Sequence, residues 1–128
     1  MRTWVIGALA LAASAGFAAA QDLTKGEASF KKCLACHDVG EQAKVKLGPP
    51  LNGLEGRKAG TDPNFKNYSD ANKNSGIVWS EETFRKYIRN PMQEMKGTRM
   101  FFVGIKNEDE ITDLWAYLKQ FGPDGKKK

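Results

Sequence analysis

Two cysteines three positions apart, with a histidine directly after the second, make up the segment Cys33-Leu34-Ala35-Cys36-His37. A thiol can add across a vinyl substituent of a porphyrin. Two thiols at this spacing can therefore tether a haem while the adjacent imidazole reaches its iron. The chain has two cysteines and one histidine in 128 residues, so this segment uses its whole supply of both. Other chemistries fit less well. A redox dithiol of the thioredoxin type needs βαβ patterning around the motif, which the flanking sequence lacks. A structural zinc site needs four ligands, and the motif supplies three with no further Cys or His anywhere.

A single histidine excludes bis-histidine ligation of one haem. The sixth position must go to a methionine, to some weaker ligand, or stay open. Beyond Met1 the methionines are Met92, Met95 and Met100. A thioether is a soft donor, and His/Met ligation raises the reduction potential of a haem. Methionine also fills irregular core gaps, so its presence alone decides nothing. Met100 follows Gly97-Thr98-Arg99 and precedes Phe101-Phe102, a non-helical stretch able to turn a side chain inward. Met92 and Met95 come directly after the helix stop at Pro91. Local sequence leaves the choice among them open.

The elements that must position these groups are few. Residues 1–20 read as a secretory signal peptide: Arg2 begins it, an apolar Ala-rich run from Trp4 to Phe17 follows, and Ala18-Ala19-Ala20 offers a small-residue cleavage site. The run is short for a membrane anchor. The remainder, 21–128, is expected to be one small all-α domain with three main helices, short turns and long loops. Asp22 to Lys32 predicts the first helix, leading straight into the Cys/His motif. Ser69 to Lys73 predicts a helical turn. Ser80 caps a helix through Arg89 with Phe84, Tyr87 and Ile88 on one face, and Asn90-Pro91 stops it. Asn107, with Glu110 three residues on, begins the last helix, where Ile111, Leu114, Trp115 and Leu118 share a face until Gly122-Pro123. Between Asp38 and Tyr68 glycines and prolines abound and no period holds. So long a loop suits a compact domain only if it wraps a large apolar ligand. Lys126-Lys127-Lys128 reads as a frayed, solvated tail.

The formal charge is +5, or +4 once Arg2 leaves with the leader. A modestly basic domain can meet acidic partners. No nucleic-acid motif or interleaving of aromatic and basic residues is present, so nucleic acid is not an expected partner.

An ordered series of short motifs runs the length of the chain: Gly26-Glu27 and Phe30 before Cys33, then Leu47-Gly48-Pro49, Gly53-Leu54, Gly56-Arg57-Lys58 and Tyr68-Ser69-Asp70-Ala71-Asn72-Lys73. Trp79, Tyr87, Asn90-Pro91, Gly97-Thr98-Arg99-Met100, Phe102, Leu114 and Tyr117-Leu118 continue it. With this series the chain resembles a class I cytochrome c, and more closely the periplasmic bacterial cytochromes c2. The resemblance implies one covalent c-type haem on Cys33 and Cys36, with iron between His37 and Met100. It implies that the Pro49 carbonyl accepts the distal N–H of His37. It implies that Tyr87 and Thr98 hydrogen-bond near the Met100 sulfur, that Arg57, Tyr68 and Trp79 donate to the haem propionates, and that Asn72 joins a buried polar network. Where vertebrate relatives have proline before the Gly-Thr-Lys-Met stretch, this chain has Lys96, and the lysine of that stretch is Arg99.

The function so implied is that of a soluble, monomeric one-electron carrier in the periplasm, at most transiently at a membrane surface. Its expected partners are the acidic docking faces of a quinol–cytochrome c oxidoreductase, a terminal oxidase, a photosynthetic reaction centre or a periplasmic dehydrogenase. Lys25, Lys31, Lys32, Lys44, Lys46, Lys86, Arg99 and Lys106 are candidates for the basic ring such docking uses. The rival readings are a haem enzyme or gas-binding protein with an open iron site, and a CxxC module without haem.

Overall fold

The computed structural model describes residues 21–128, and the expected signal peptide at 1–20 lies outside them. Five helical segments are present: α1 Leu23–Phe30, α2 Asp70–Lys73, α3 Glu81–Arg89, α4 Pro91–Glu94 and α5 Glu108–Lys119. No strand occurs among the described residues, only the isolated bridges Lys58–Val78 and Phe121–Lys127. The all-α expectation with three main helices holds.

Each main helix begins on a side chain that satisfies an otherwise orphaned N–H. The Asp22 carboxylate accepts from Lys25 N, so α1 begins one residue later than expected. Ser80 and Thr83 close a reciprocal capping box on α3. The Asn107 side chain accepts from Glu110 N at 3.0 Å. The Glu110 carboxylate does not turn back to complete a box. It reaches across to α1, where it accepts from Ser29 and pairs with Lys32.

α1 and α5 form the main helix contact. Gly26 makes their close approach possible: a Cβ there would lie 2.1 Å from the Asp113 carbonyl oxygen. The expected face of α5 is the centre of the core, with Ile111, Leu114, Trp115 and Leu118 each at most 2% exposed. Burying each such side chain contributes about 1.5–3 kcal/mol. Phe84 of α3 packs on Trp115, and Phe30 of α1 on Tyr117.

Two local expectations are corrected. Pro91 ends α3 but does not end helical structure. Asn90 caps a further turn, accepting from Gln93 N, with Pro91 at its first position, where proline's missing N–H costs nothing. The C-terminal lysines are not a frayed tail. Lys127 bridges back to Phe121, Lys128 N donates to Gln120 O at 2.8 Å, and Lys128 pairs with Glu55. Buried Gly125 packs so tightly on the 38–52 loop that a Cβ would lie 2.2 Å from Gly40 O.

An ionic cluster joins α3 to the start of α5. Glu108 accepts from Arg85 at 2.7 Å and from Arg89, and Arg85 also reaches Thr112 and Glu81. Arg89, then Arg85, hold the Glu108 carboxyl below its ordinary value. A carboxyl depressed by folding stabilises the fold above its unfolded pKa, near 4.5, and loses that contribution as pH falls through the lower folded value. Glu108→Gln is therefore expected to lower the thermal midpoint at neutral pH and in low salt. The gap to wild type should close on acidification below the ordinary carboxylate range, and calorimetry across pH checks both limbs.

Candidate functional site

The last turn of α1 runs on into the Cys/His segment. Cys33 N donates to Phe30 O at 2.8 Å, and His37 N to Cys33 O at 2.8 Å. This winding brings both thiols and the imidazole to one wall of a cavity of about 520 Å³. Neither cysteine is in a disulfide. Before haem is attached, burial, reinforced by the neighbouring Cys36, pushes the Cys33 thiol up to about 11.

The His37 ring is fixed by what surrounds it. Its Nδ1 lies 2.7 Å from Pro49 O. A carbonyl only accepts, so Nδ1 carries the proton and Nε2 keeps a lone pair. Burial lowers the His37 pKa, outweighing the hydrogen bond to Pro49 that raises it, and the ring is held neutral. A neutral imidazole with a free Nε2 is a metal ligand. Gly48 is the floor of this cradle: a Cβ would lie 2.4 Å from His37 Cε1.

The three candidate methionines separate clearly. Met95 is a core residue at 5% exposure, Met92 is exposed on α4, and Met100 alone of the three lines the cavity. The Tyr87 hydroxyl donates to Met100 Sδ at 3.4 Å and lies 3.3 Å from Thr98 Oγ1. Thr98 Oγ1 also accepts from Met100 N at 3.1 Å. Only one proton order satisfies all three contacts: Met100 N–H to Thr98, Thr98 O–H to Tyr87, Tyr87 O–H to sulfur. The closed circuit fixes both the loop and its thioether. Burial raises the Tyr87 pKa, so the phenol keeps the proton it donates.

Lys96 does not leave this loop slack. Thr98 N donates to Met95 O at 3.0 Å, and the buried Met95 side chain anchors the segment as a proline ring would stiffen it.

Every residue that the resemblance assigns to the haem site borders the same cavity: Cys33, Cys36, His37, Pro49, Arg57, Tyr68, Asn72, Trp79, Tyr87, Thr98 and Met100. Some have protein partners that the sequence did not predict. Arg57 Nη1 donates to Pro50 O and Asn52 O, at 3.0 and 3.1 Å, and lies 3.7 Å from an Asp62 carboxylate oxygen. The Tyr68 hydroxyl accepts from Asp62 N, leaving its own proton to give. Trp79 packs edge-on to Tyr87 with ring centroids 5.1 Å apart. Further walls include the apolar side chains Leu51, Leu54, Phe84, Ile88, Leu114 and Leu118. From the sequence, the four helical ones read as core faces, and their i, i+4 spacing was the only available signal. The basic ring is sparser than expected. Lys32 and Arg99 border the cavity, and Lys46 donates to Leu34 O beside it. Lys86 pairs with Glu82, Lys106 caps the end of α3 at Arg89 O, and Lys25 lies in a groove with Asp109, Glu110 and Asp113.

The cavity suits a haem. Its volume lies within the roughly 300–1,000 Å³ of small-molecule and cofactor sites, and its lining is mostly apolar. The Asn72 Oδ1 atom is buried with no hydrogen-bond partner. Such a buried orphan is costly unless an occupant supplies the partner. The donor set is an imidazole, a thioether and two thiols.

A family model described as cytochrome c matches residues 23–122. The chain belongs to the cytochrome c family. It is 57% identical to cytochrome c2 of Blastochloris viridis over the full length of both chains. It is 62% identical to a cytochrome c2 of Rhodoplanes tepidamans, covering 84% of this chain and all of that one. Cytochrome c-550 of Bradyrhizobium diazoefficiens is 60% identical over 80% of this chain and 75% of its own. Among solved structures, cytochrome cH from Methylobacterium extorquens superposes with a TM-score of 0.72 at 36% identity, covering 77% of this chain and 98% of that one. The fold and the resemblance to cytochromes c2 are thus borne out. As a cytochrome c, the chain is an electron carrier with one covalently bound c-type haem.

The Gly48 cradle yields a direct test. Gly48→Ala is expected to push the His37 ring off Pro49 and to destabilise the haem protein by about 1–3 kcal/mol, the range for overpacking a close contact. Gly122, where a Cβ would come no nearer than 3.3 Å to any neighbour, serves as control. Urea midpoints and the NMR signals of the His37 ring check the difference.

Proposed function

We propose that this cytochrome c holds its haem through Cys33 and Cys36, binds the iron with His37 Nε2 and Met100 Sδ, and carries single electrons rather than transforming a substrate. The observation that carries this reading is that His37 and Met100 border one apolar cavity with both thiols, the imidazole held through its Nδ1 and the thioether at its sulfur by hydrogen bonds. When bound, the haem supplies a one-electron couple at its iron. The chain's part is to bind, orient and exclude water. Pro49 orients the imidazole and Tyr87 and Thr98 the thioether, while Leu51, Leu54, Phe84 and Ile88 keep the site dry. Arg57, Tyr68 and Trp79 are donors for the propionates, and the Asn72 carboxamide, whose oxygen and nitrogen ends can exchange, joins them in the buried polar network. With His37 and Met100 both holding the iron, no position would be left open to a substrate or gas.

The working chain is residues 21–128 after removal of the leader, acting as a soluble monomer in the periplasm. The names of the relatives as cytochromes c2 and c-550 support this setting. Its partners present acidic faces: a quinol–cytochrome c oxidoreductase or periplasmic dehydrogenase as donor, a terminal oxidase or photosynthetic reaction centre as acceptor. Lys32, Lys46 and Arg99 meet them at the cavity mouth.

The test of ligation is spectroscopic. The oxidised native protein should show the weak charge-transfer band of a methionine sulfur on ferric haem iron, and the reduced protein should not bind carbon monoxide. Met100→Ala should lose the band and bind carbon monoxide near stoichiometrically. Its potential should fall by on the order of 0.1 V, a part of the roughly 0.8 V range that axial ligands span. Carbon monoxide binding to the reduced native protein would instead support an open site. For docking, the second-order rate of electron transfer to an acidic partner should drop at least about tenfold from low to high ionic strength. Stopped-flow measurements at several salt concentrations check this.

A further inference from the structure

The loop that carries Pro49 is closed on the Cys/His segment by a ladder in which side chains stand in for backbone. Gly48 N donates to Cys36 O at 2.8 Å, His37 Nδ1 to Pro49 O at 2.7 Å, and Leu51 N to Asp38 O at 2.9 Å. The last rung is double. Asn52 Oδ1 accepts from Gly40 N at 2.9 Å, and Asn52 Nδ2 donates to Gly40 O at 2.8 Å. The rungs advance in the same direction along both segments, and a parallel backbone pair never exchanges two bonds between the same two residues, so this double rung needs a side chain. Here Pro49 and Pro50 have no N–H to give, so backbone pairing fails in the middle and the Asn52 carboxamide restores it at the end. Asn52 is tied in turn, since its own carbonyl accepts from Arg57, which also holds Pro50 O. The next residue, Gly53, donates to Phe121 O, joining the rung to the segment just after α5.

We propose that Asn52 is a positioning residue for the haem ligand His37: its two-point clamp on Gly40 holds the loop so that the Pro49 carbonyl stays on the imidazole Nδ1–H. It lies outside the residues bordering the cavity and acts only through the loop. The Pro49 carbonyl is fixed from both sides, by the Gly48 rung before it and the Leu51 and Asn52 rungs after it. Removing the clamp leaves the Gly40 N–H without its partner and Gly40 O with Ala43 N alone, so the loop loses its double rung and keeps only the single bonds around it. Residues of α1 and α5 keep all their contacts. The inference rests on the reading of His37 as iron ligand.

The experiment uses the haem-loaded protein in its reduced, diamagnetic state and follows the His37 Nδ1–H by NMR. In Asn52→Ala its exchange with solvent should accelerate roughly tenfold, the factor expected for loss of one ordinary hydrogen bond, and its resonance should move upfield. The amides of Ile111 and Leu114 in α5 should not accelerate in proportion. Asn52→Asp, which keeps an acceptor for Gly40 N but not the donor, should fall between. An unmoved resonance and rate in the variants would overturn the proposal, as would acceleration in step with the α5 amides. Should Asn52→Ala fail to fold, Asn52→Asp and the wild type still decide. Asn52 Nδ2 protons that exchange in the wild type as fast as those of a free peptide would overturn it, and protected ones support it. A wild-type iron with no imidazole ligand would sink the ligand reading and this inference together. A bound imidazole with an unmoved resonance sinks this inference alone.

Discussion

The hydrogen bond from His37 Nδ1 to the Pro49 carbonyl is the contact on which the site depends. This chain has one histidine, so the bond selects the only imidazole nitrogen available to iron. It does so by chemistry rather than by shape alone. A carbonyl cannot donate, so the tautomer is settled, and burial keeps the ring uncharged. Proline suits position 49 because only its carbonyl is needed there. Pro50 then restricts Pro49 to extended backbone. Glycine suits position 48 because the imidazole occupies the space a side chain would take.

The two proposed ligands are held by different means. His37 sits about two turns of continued winding beyond α1, so its backbone is placed locally. Met100 is sixty-three residues away in sequence, in a loop with no helix of its own. That loop is pinned at three points: Met95 in the core, the Tyr87–Thr98 circuit at the sulfur, and Ile105 N on Ile88 O where the chain leaves for α5. α3 supplies two of the three. The ionic cluster of Arg85, Arg89 and Glu108, which ties α3 to α5, therefore also bears on where the thioether stands.

Features that rest on neighbours in sequence were legible. Ser80 and Asn107 announce helices because a cap is a contact across three residues, and α5 is evident because its core face repeats along one helix. The Cys33–His37 motif is legible for the same reason. What stayed hidden rests on distant partners. The order inside 38–68 comes from Asn52 on Gly40 and Arg57 on Pro50, bonds with no period to detect. Pro91 read as a stop because a proline that ends one helix and begins another looks the same locally. Lys126 to Lys128 read as solvated because their charge is visible in sequence, whereas Gly125 against Gly40 is not. Met100 could not be separated from Met92 and Met95 by local pattern. The resemblance singled it out, and burial accords with that choice by sending Met95 into the core and leaving Met92 exposed.

The apolar faces of α3 and α5 serve two purposes at once. Phe84 packs on Trp115 and also borders the cavity, as do Leu114 and Leu118, which are at most 1% exposed. The cavity is thus continuous with the core of a domain too small to build a large one. A bound haem would extend the packing of the same residues that join the helices. The same continuity bears on the chemistry. The Pro49 carbonyl already set on the imidazole N–H and the Tyr87 hydroxyl already aimed at the thioether are preorganised dipoles, which carry little reorganisation cost when one electron arrives. A rigid core extended around the iron is the arrangement that one-electron transfer favours.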